Sequence, residues 1–226
     1  YSGDSAIFGR ASVNIPFADN QAGLSLSAAS EEGVGYIDDV DAGVDDVNDH
    51  KITLGRAVVM GDLTDNLVSR LAVHYQKLEV GAGTVIDDDD QMIRRQETTK
   101  GKPTDFRYDQ MMTIPLTFTY DFGSFALESI TGYFSRDTEA RGYSTNSTVL
   151  LTLTNPQIGE NAEGFALTNE NYEQWTQEVR FISQFESPLS IVAGIYYKSA
   201  QFHSDGFFGA HNTPGAALAE FIIEQE

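Results

Sequence analysis

The feature that most constrains the fold is a rhythm of paired amphipathic runs, joined alternately by tight and by very long connections. Ala6–Pro16 and Gln21–Tyr36 flank Phe17-Ala18-Asp19-Asn20, and Lys51–Met60 and Leu67–Leu78 flank Gly61-Asp62-Leu63-Thr64-Asp65-Asn66. Gln110–Tyr120 and Phe125–Phe134 flank Asp121-Phe122-Gly123-Ser124, and Tyr172–Phe185 and Leu189–Phe202 flank Glu186-Ser187-Pro188. The remaining connections, Ile37–His50, Glu79–Asp109 and Ser135–Asn171, are far longer. Tight turns at one end and long loops at the other, around strands of alternating polarity, predict an all-β fold: an antiparallel transmembrane β-barrel segment of about eight strands in hairpins.

The alternation holds strand by strand. In Gln110–Tyr120, Met112, Ile114, Leu116, Phe118 and Tyr120 share one face while Thr113, Thr117 and Thr119 take the other. Leu67, Leu71, Val73 and Tyr75 oppose Asn66, Arg70, His74 and Gln76. Trp175, Val179, Phe181 and Phe185 oppose Gln174, Thr176, Glu178, Arg180 and Gln184. Leu189, Ile191, Ala193, Ile195 and Tyr197 oppose Ser190, Gly194 and Lys198. Side chains repeat every second residue, so a slip of one position would exchange the faces, and the pattern fixes which side meets lipid.

A soluble β-sandwich alternates in the same way. Strand length and aromatic placement separate the two. The runs are longer than the usual soluble strand of about five or six residues, and they match the roughly nine to eleven of a tilted membrane crossing. Phe17, Tyr120, Phe122, Phe125 and Phe185 sit beside the tight turns, whereas Tyr36, Tyr75, Tyr133, Phe134, Tyr172 and Trp175 sit where strands meet long loops. Paired aromatic belts are what two membrane interfaces select, although strands favour aromatic residues anyway.

Charge narrows the function. The chain of 226 residues carries 34 acidic and 14 basic residues, a formal charge of -20. Phosphate-backbone binding needs clustered Lys and Arg, so a nucleic-acid partner is not expected. No apolar run reaches the length of about eighteen residues that a membrane helix needs. Cysteine is absent, which removes disulfides and thiolate metal sites from consideration. The hydrophobic share of 41% suits a soluble protein, and equally a barrel whose lipid-facing residues are diluted by lumen-facing polar ones.

Asp38, Asp39, Asp41, Asp45, Asp46 and Asp49 lie close together, and Asp87–Asp90 is unbroken. Calcium favours several oxygen ligands together, but the EF-hand offsets, central Gly and final Glu are missing, so solvated, self-repelling loops are expected. Such negativity disfavours polyanionic ligands and leaves neutral sugars, peptides and metal chelates open. His203-Ser204-Asp205 follows the last run at the loop end, but neighbours in sequence do not make triad geometry. His50, His74, His203 and His211 show no ligand spacing, and no nucleophile elbow, paired-His zinc motif or phosphate loop occurs. No catalytic, cofactor-binding or metal residue is therefore expected, and no enzyme. The Asn146-Ser147-Thr148 sequon is incidental in a bacterial setting.

Tyr1-Ser2-Gly3-Asp4 does not read as a signal peptide. Ala216–Glu226 reads as a short amphipathic helix rather than a closing strand. Both ends lead us to expect a piece of something longer.

An ordered set of motifs resembles a known family. Ser12-Val13-Asn14-Ile15-Pro16-Phe17, Gly33-Val34-Gly35-Tyr36-Ile37-Asp38-Asp39-Val40 and Asp45-Asp46-Val47-Asn48 are similar to the early barrel of TonB-dependent outer-membrane receptors. Leu54-Gly55-Arg56-Ala57 and Ile130-Thr131-Gly132-Tyr133 continue the likeness. Gln177-Glu178-Val179-Arg180-Phe181-Ile182-Ser183 and Pro188–Tyr197 extend it, so it runs from about Phe8 to about Phe202. Each motif is weak alone; their order is more specific.

The resemblance implies a location in the bacterial cell outer membrane and a partial barrel over residues 1–226, with no plug domain and without the C-terminal strands. It implies contact with outer-membrane lipid, with the protein's own plug domain and with the TonB complex. It also implies energy-coupled uptake of a large scarce nutrient, a ferric siderophore first among candidates. The ligand-binding residues are unknown at this level. Arg10, Arg56, Arg70, Glu178 and Arg180 would face the lumen, where they would pair with plug groups, line the path, pair with one another across strands, or face water. The alternatives are a secreted soluble β-sandwich that binds carbohydrate and a small passive outer-membrane pore or adhesin.

Overall fold

The computed structural model describes residues 5–19, 21–36, 38–39, 44–81, 94–95, 105–143, 163–184, 189–211 and 223–225. The long strands are β1 (Ala6–Phe17), β2 (Ala22–Gly33), β4 (His50–Thr64), β5 (Leu67–Val80), β7 (Phe106–Asp121), β8 (Phe125–Tyr143), β9 (Glu163–Ser183) and β10 (Val192–His211). Three short segments complete the set: β3 (Asp38–Asp39), β6 (Arg94–Arg95) and β11 (Ile223–Gln225). No helix occurs among the described residues.

Each long strand lies antiparallel beside the next in one sheet of order β1-β2-β4-β5-β7-β8-β9-β10, with β11 at the far edge and β3 paired in parallel with β6. The connections at one end are tight enough to leave no other pairing. Phe17 faces Ala22 across a four-residue loop in which Ala18 and Asp19 are left-handed, with φ of 51° and 50°. At the next hairpin Thr64 pairs with Leu67 after a register shift at Asp62, so the predicted turn Gly61–Asn66 shrinks to Asp65-Asn66. The β7–β8 turn works through Gly123, whose φ of 86° suits a residue without Cβ, and its N–H donates to Asp121 Oδ1 at 2.7 Å. The predicted turn Glu186–Pro188 lies outside the described residues.

The structure corrects several boundaries at the other end. β8 runs on to Tyr143 and β9 begins at Glu163, so much of the predicted loop Ser135–Asn171 is strand. The backbone of each supplies the partner the other needs, from Phe125 opposite Ser183 to Tyr143 opposite Phe165. β10 extends to His211 along β9 for the same reason, which places His203, Ser204 and Asp205 inside a strand. At the C-terminus Ile223–Gln225 is not helical; it pairs with Ser204–Gly206, whose outward N–H and C=O groups are a template for one more strand. The rest of the predicted helix lies outside the described residues.

Packing shows what kind of sheet this is. The buried apolar residues are few: Val47, Val58, Ala72 and Ala126. Large apolar side chains stand uncovered instead, with Ile195 at 75%, Tyr197 at 65% and Trp175 at 55% exposure. A β-sandwich hides one face of each sheet beneath the other; the described residues form a single layer with nothing packed on its apolar face. β1 does not pair with β10, so the sheet does not close on itself as a small complete barrel would.

Candidate functional site

The register sorts side chains onto two faces. On one, Val13 and Ile15 of β1 line up with Leu24 and Leu26 of β2 and then with Val59 and Ala57 of β4. The row continues through Leu71 and Val73 to Leu116 and Ile114, and reaches Val179 and Ile195 on β9 and β10. Aromatic rings border this apolar band. At the turn end Tyr120, Phe122, Phe125 and Phe181 touch in series, with centroids 4.4, 4.5 and 5.0 Å apart. At the loop end Tyr133 packs on Trp175 at 4.8 Å, with Tyr75 on the same face. From Phe125 to Tyr133 the chain runs roughly 26 Å at about 3.3 Å per residue, which a strand tilt of about 40° reduces to about 20 Å along the membrane normal, the same order as the roughly 25 Å apolar band of a membrane barrel.

Two expected belt residues belong elsewhere. Phe134 and Tyr172 lie on the opposite, polar face, where their rings meet at 5.8 Å. The parity of their positions relative to Tyr133 and Trp175 sends them there. Phe185 lies outside the described residues.

The apolar face carries a hydrogen-bonded polar cluster, which the sequence reading did not single out. Gln177 shares it with Ser129 and Thr131. Thr131 Oγ1 donates to Gln177 Oε1 at 2.6 Å, and Gln177 Nε2 donates to Ser129 Oγ at 3.1 Å and to the Glu178 carbonyl at 3.2 Å. The amide thus satisfies itself within the sheet, as a polar group in an apolar setting must.

The polar face gathers every charge expected to look inward. Arg10, Arg56 and Arg70 all fall on it, as do Glu178 and Arg180. Only the last two pair: Arg180 Nε reaches Glu178 Oε1 at 2.6 Å and its Nη1 lies 3.6 Å from Glu128 across the strand. Arg10, Arg56 and Arg70 hold no ion pair among the described residues. Arg56 stands opposite Ser27 on one side and His74 on the other, and Arg10 stands opposite Ala29. Arg10, Arg56 and His74 line one open concavity of about 360 Å³ together with Phe8, Leu54 and Met111. Its floor is shallow because β2 offers only Ser27 and Ala29 beneath the two arginines.

Beyond the aromatic row, towards the loop end, the polar face carries a clamp with no counterpart in the sequence reading. Asp109 is nearly buried, with 5% exposure. Arg136 grips it through two hydrogen bonds, Nε to Oδ1 at 2.9 Å and Nη2 to Oδ2, and Arg107 Nη2 adds a third to Oδ2 at 3.2 Å. The hydrogen bonds from Arg136 hold the Asp109 carboxyl below its ordinary range, against the opposing effect of burial. No short motif announces this trio; the signal was the register that sets β7 against β8.

His203 Nε2 lies 3.2 Å from Asp205 Oδ2 on one face of β10, while Ser204, between them, points to the other. That parity separates the hydroxyl from the imidazole, so the three do not form a nucleophile–base unit. Among the described residues no group of three or more His, Asp or Glu side chains is placed to hold a metal ion. The acidic segments Asp41 and Asp87–Asp90 lie outside the described residues, as do the side chains of Asp38 and Asp39. Asp46 and Asn48 are part of a tucked turn instead: Asp46 is left-handed at φ 58°, the Asp49 N–H donates to its carbonyl at 3.2 Å, and Asn48 Oδ1 accepts from the Tyr36 N–H at 2.7 Å. Gly35 and Gly81 give this turn room, since a Cβ on either would collide with the backbone of Asp46 or Val47.

No family profile matches the chain, and no curated protein matches it. Among solved structures it is similar to the ferric yersiniabactin uptake receptor FyuA from Yersinia pestis, with a TM-score of 0.71 at 13% sequence identity. The superposition covers 94% of this chain and 32% of that one, so the chain spans about a third of the receptor's length. At that identity the likeness is one of fold. A single antiparallel sheet, apolar on one face, polar on the other and bordered by aromatic rings, is a stretch of outer-membrane-type barrel wall.

Proposed function

We propose that this chain is part of the barrel of a TonB-dependent receptor in the bacterial outer membrane, serving energy-coupled uptake of a large scarce nutrient, with a ferric siderophore as first candidate. The observation that carries the reading is the uncovered apolar band between aromatic rows, on a sheet similar in fold to about a third of an uptake receptor's chain. The polar face is then the lumen wall, and the tight turns at Ala18–Gln21 and Asp65-Asn66 face the periplasm. The long connections face outward and meet ligand first. Residues 1–226 are read as barrel alone, and the lumen is filled by a plug domain coupled to the TonB complex.

Uptake tests the proposal. Cells producing the full-length protein would be compared with a deletion strain for accumulation of radiolabelled iron presented on a panel of siderophores. Accumulation that needs both the gene and an energised inner membrane supports the reading. Equal accumulation in the deletion strain across the panel, or accumulation that survives a protonophore, refutes it.

A further inference from the structure

The concavity between Arg10 and Arg56 points to a second level of selectivity. We propose that it is a binding site for the carboxylate of a small, largely apolar organic acid. This rests on reading the polar face as a lumen wall.

The geometry begins with the strands. Arg10 on β1 and Arg56 on β4 are separated by β2 and by one side-chain row. At about 4.8 Å between strands and 3.3 Å per residue, their Cβ atoms stand about 12 Å apart. Two extended guanidinium side chains can close that gap from opposite sides onto one anion. Ser27 and Ala29 lie between them and are too short to fill it. His74, directly opposite Arg56, adds a ring nitrogen to the same wall.

The local charge is unbalanced in a way that the net charge hides. Some cations of the sheet are paired: Arg107 and Arg136 share Asp109, Arg180 holds Glu178, and Lys77 holds Glu79 at 2.7 Å, whereas Arg70 holds no ion pair among the described residues. Arg10 and Arg56 hold none among the described residues. The nearest carboxylate on this face is Glu31, one row towards the loop end, and its Oε1 is 3.4 Å from His50 Nε2 instead. A guanidinium pair with no counter-ion among the described residues, exposed at an open concavity, favours a carboxylate through bidentate hydrogen bonds that water and salt weaken. Phe8, Leu54 and Met111 supply the apolar remainder of the lining. The volume of about 360 Å³ lies in the range of small-molecule sites. Acidic loops at the mouth disfavour polyanions, so a single carboxylate on an apolar body fits both the approach and the seat.

The test uses the full-length protein in detergent with benzoate as probe and benzyl alcohol as its neutral match, read by saturation-transfer NMR and calorimetry. Saturable benzoate binding at about millimolar strength, weakened by salt and absent for benzyl alcohol, is expected. Arg10→Gln with Arg56→Gln should weaken it about tenfold or more, while Arg180→Gln leaves it unchanged. Absence of saturable binding overturns the proposal. So does binding equal for benzoate and benzyl alcohol, or indifferent to the double substitution. If wild type does not bind benzoate and the double variant unfolds more readily, the arginines hold an acidic segment of the polypeptide instead, and the proposal fails. Should the double variant not fold, the salt dependence and the neutral control in wild type still decide. Recovery of the protein from the outer-membrane fraction only with detergent is a separate check on the barrel reading, and it stands or falls independently of benzoate.

Discussion

Removing the Asp109 carboxylate charge should destabilise the barrel wall and flatten its response to acid. The carboxylate side chain is 6% exposed, whereas Arg136 and Arg107 are 39% and 50% exposed. Breaking a fully buried pair costs about 3–5 kcal/mol, and an exposed pair contributes about 0–1. With a buried acceptor and half-exposed donors, the interaction falls between these limits. Asp109→Asn keeps one acceptor but loses the charge and the fork-to-fork match to Arg136, so about 2 kcal/mol is the expected loss. The pH dependence has a definite sign. The folded state holds the Asp109 pKa below its ordinary value, with hydrogen bonds from Arg136 as the main cause. Its stabilisation is therefore complete above the unfolded value of about 4 and is lost as pH falls through the lower, folded value.

Guanidinium unfolding of the full-length protein in lipid vesicles, measured at neutral pH and through the acid range, reads both effects. Asp109→Asn should lose about 2 kcal/mol at neutral pH, and the gap to wild type should narrow below about pH 4. Arg136→Gln should cost a similar amount, and the double variant should fall well short of the sum, since both changes remove one interaction. An Asp109→Asn protein within about 0.5 kcal/mol of wild type, with an unchanged acid profile, would refute the argument and leave the clamp as a contact without energetic weight.

Three further outcomes follow from the faces and turns. Leu116→Arg, at the middle of the apolar band, should destabilise the vesicle-inserted protein by about 2–4 kcal/mol, whereas Thr119→Arg, on the polar face opposite Glu128, should change it by less than about 1; the reverse order would invert the face assignment. Gly123→Ala should cost about 1–2 kcal/mol in the same assay, and through backbone strain alone, since a Cβ there meets nothing within 4 Å; no change would mean that the turn relaxes. Ala18→Asn should stabilise by up to about 1 kcal/mol, because Asn tolerates the left-handed φ better, and a loss on that substitution would show that the loop conformation differs.

The alternation made the two faces legible, because a period of two leaves a strand only one way to place its apolar side chains. Met112 through Tyr120 and Trp175 through Phe181 took the faces their parity dictates. What parity cannot reveal is which strand position meets which across the sheet. Asp109 and Arg136 are far apart in sequence and meet only through the β7–β8 register. Gln177, Thr131 and Ser129 read as a flaw in the apolar pattern until cross-strand hydrogen bonds close the set. Strand ends were also opaque. Asp137, Glu139, Asn169 and Asn171 have the composition of a loop, yet backbone pairing between β8 and β9 carries them as strand. Once a wide hairpin is registered, each further pair adds a ladder bond at the cost of ordering two residues, and side-chain polarity on a solvated extension does not oppose it.

Height and face explain why a chain of net charge -20 can carry an anion site. In the band between the aromatic rows, the apolar face bears no charge on β5 or β7, where Leu67, Leu71, Val73 and Tyr75 meet Tyr120 through Met112. The polar face of β1, β2, β4 and β5 at that height bears Arg10, Arg56 and Arg70, and its carboxylates stand at the margins, Asp62 beside the turn end and Glu31 near the loop end. Acidic residues accumulate beyond that point, where the chain meets water and where the field of the arginines has decayed over about a Debye length of 8–10 Å. The formal charge therefore describes the approach to the wall, and the register describes the wall itself. A ligand repelled by the first and held by the second must carry little charge and present it late. That ordering predicts that salt should quicken the arrival of a carboxylate ligand while weakening its hold, two opposite ionic-strength slopes that a uniformly acidic protein would not show.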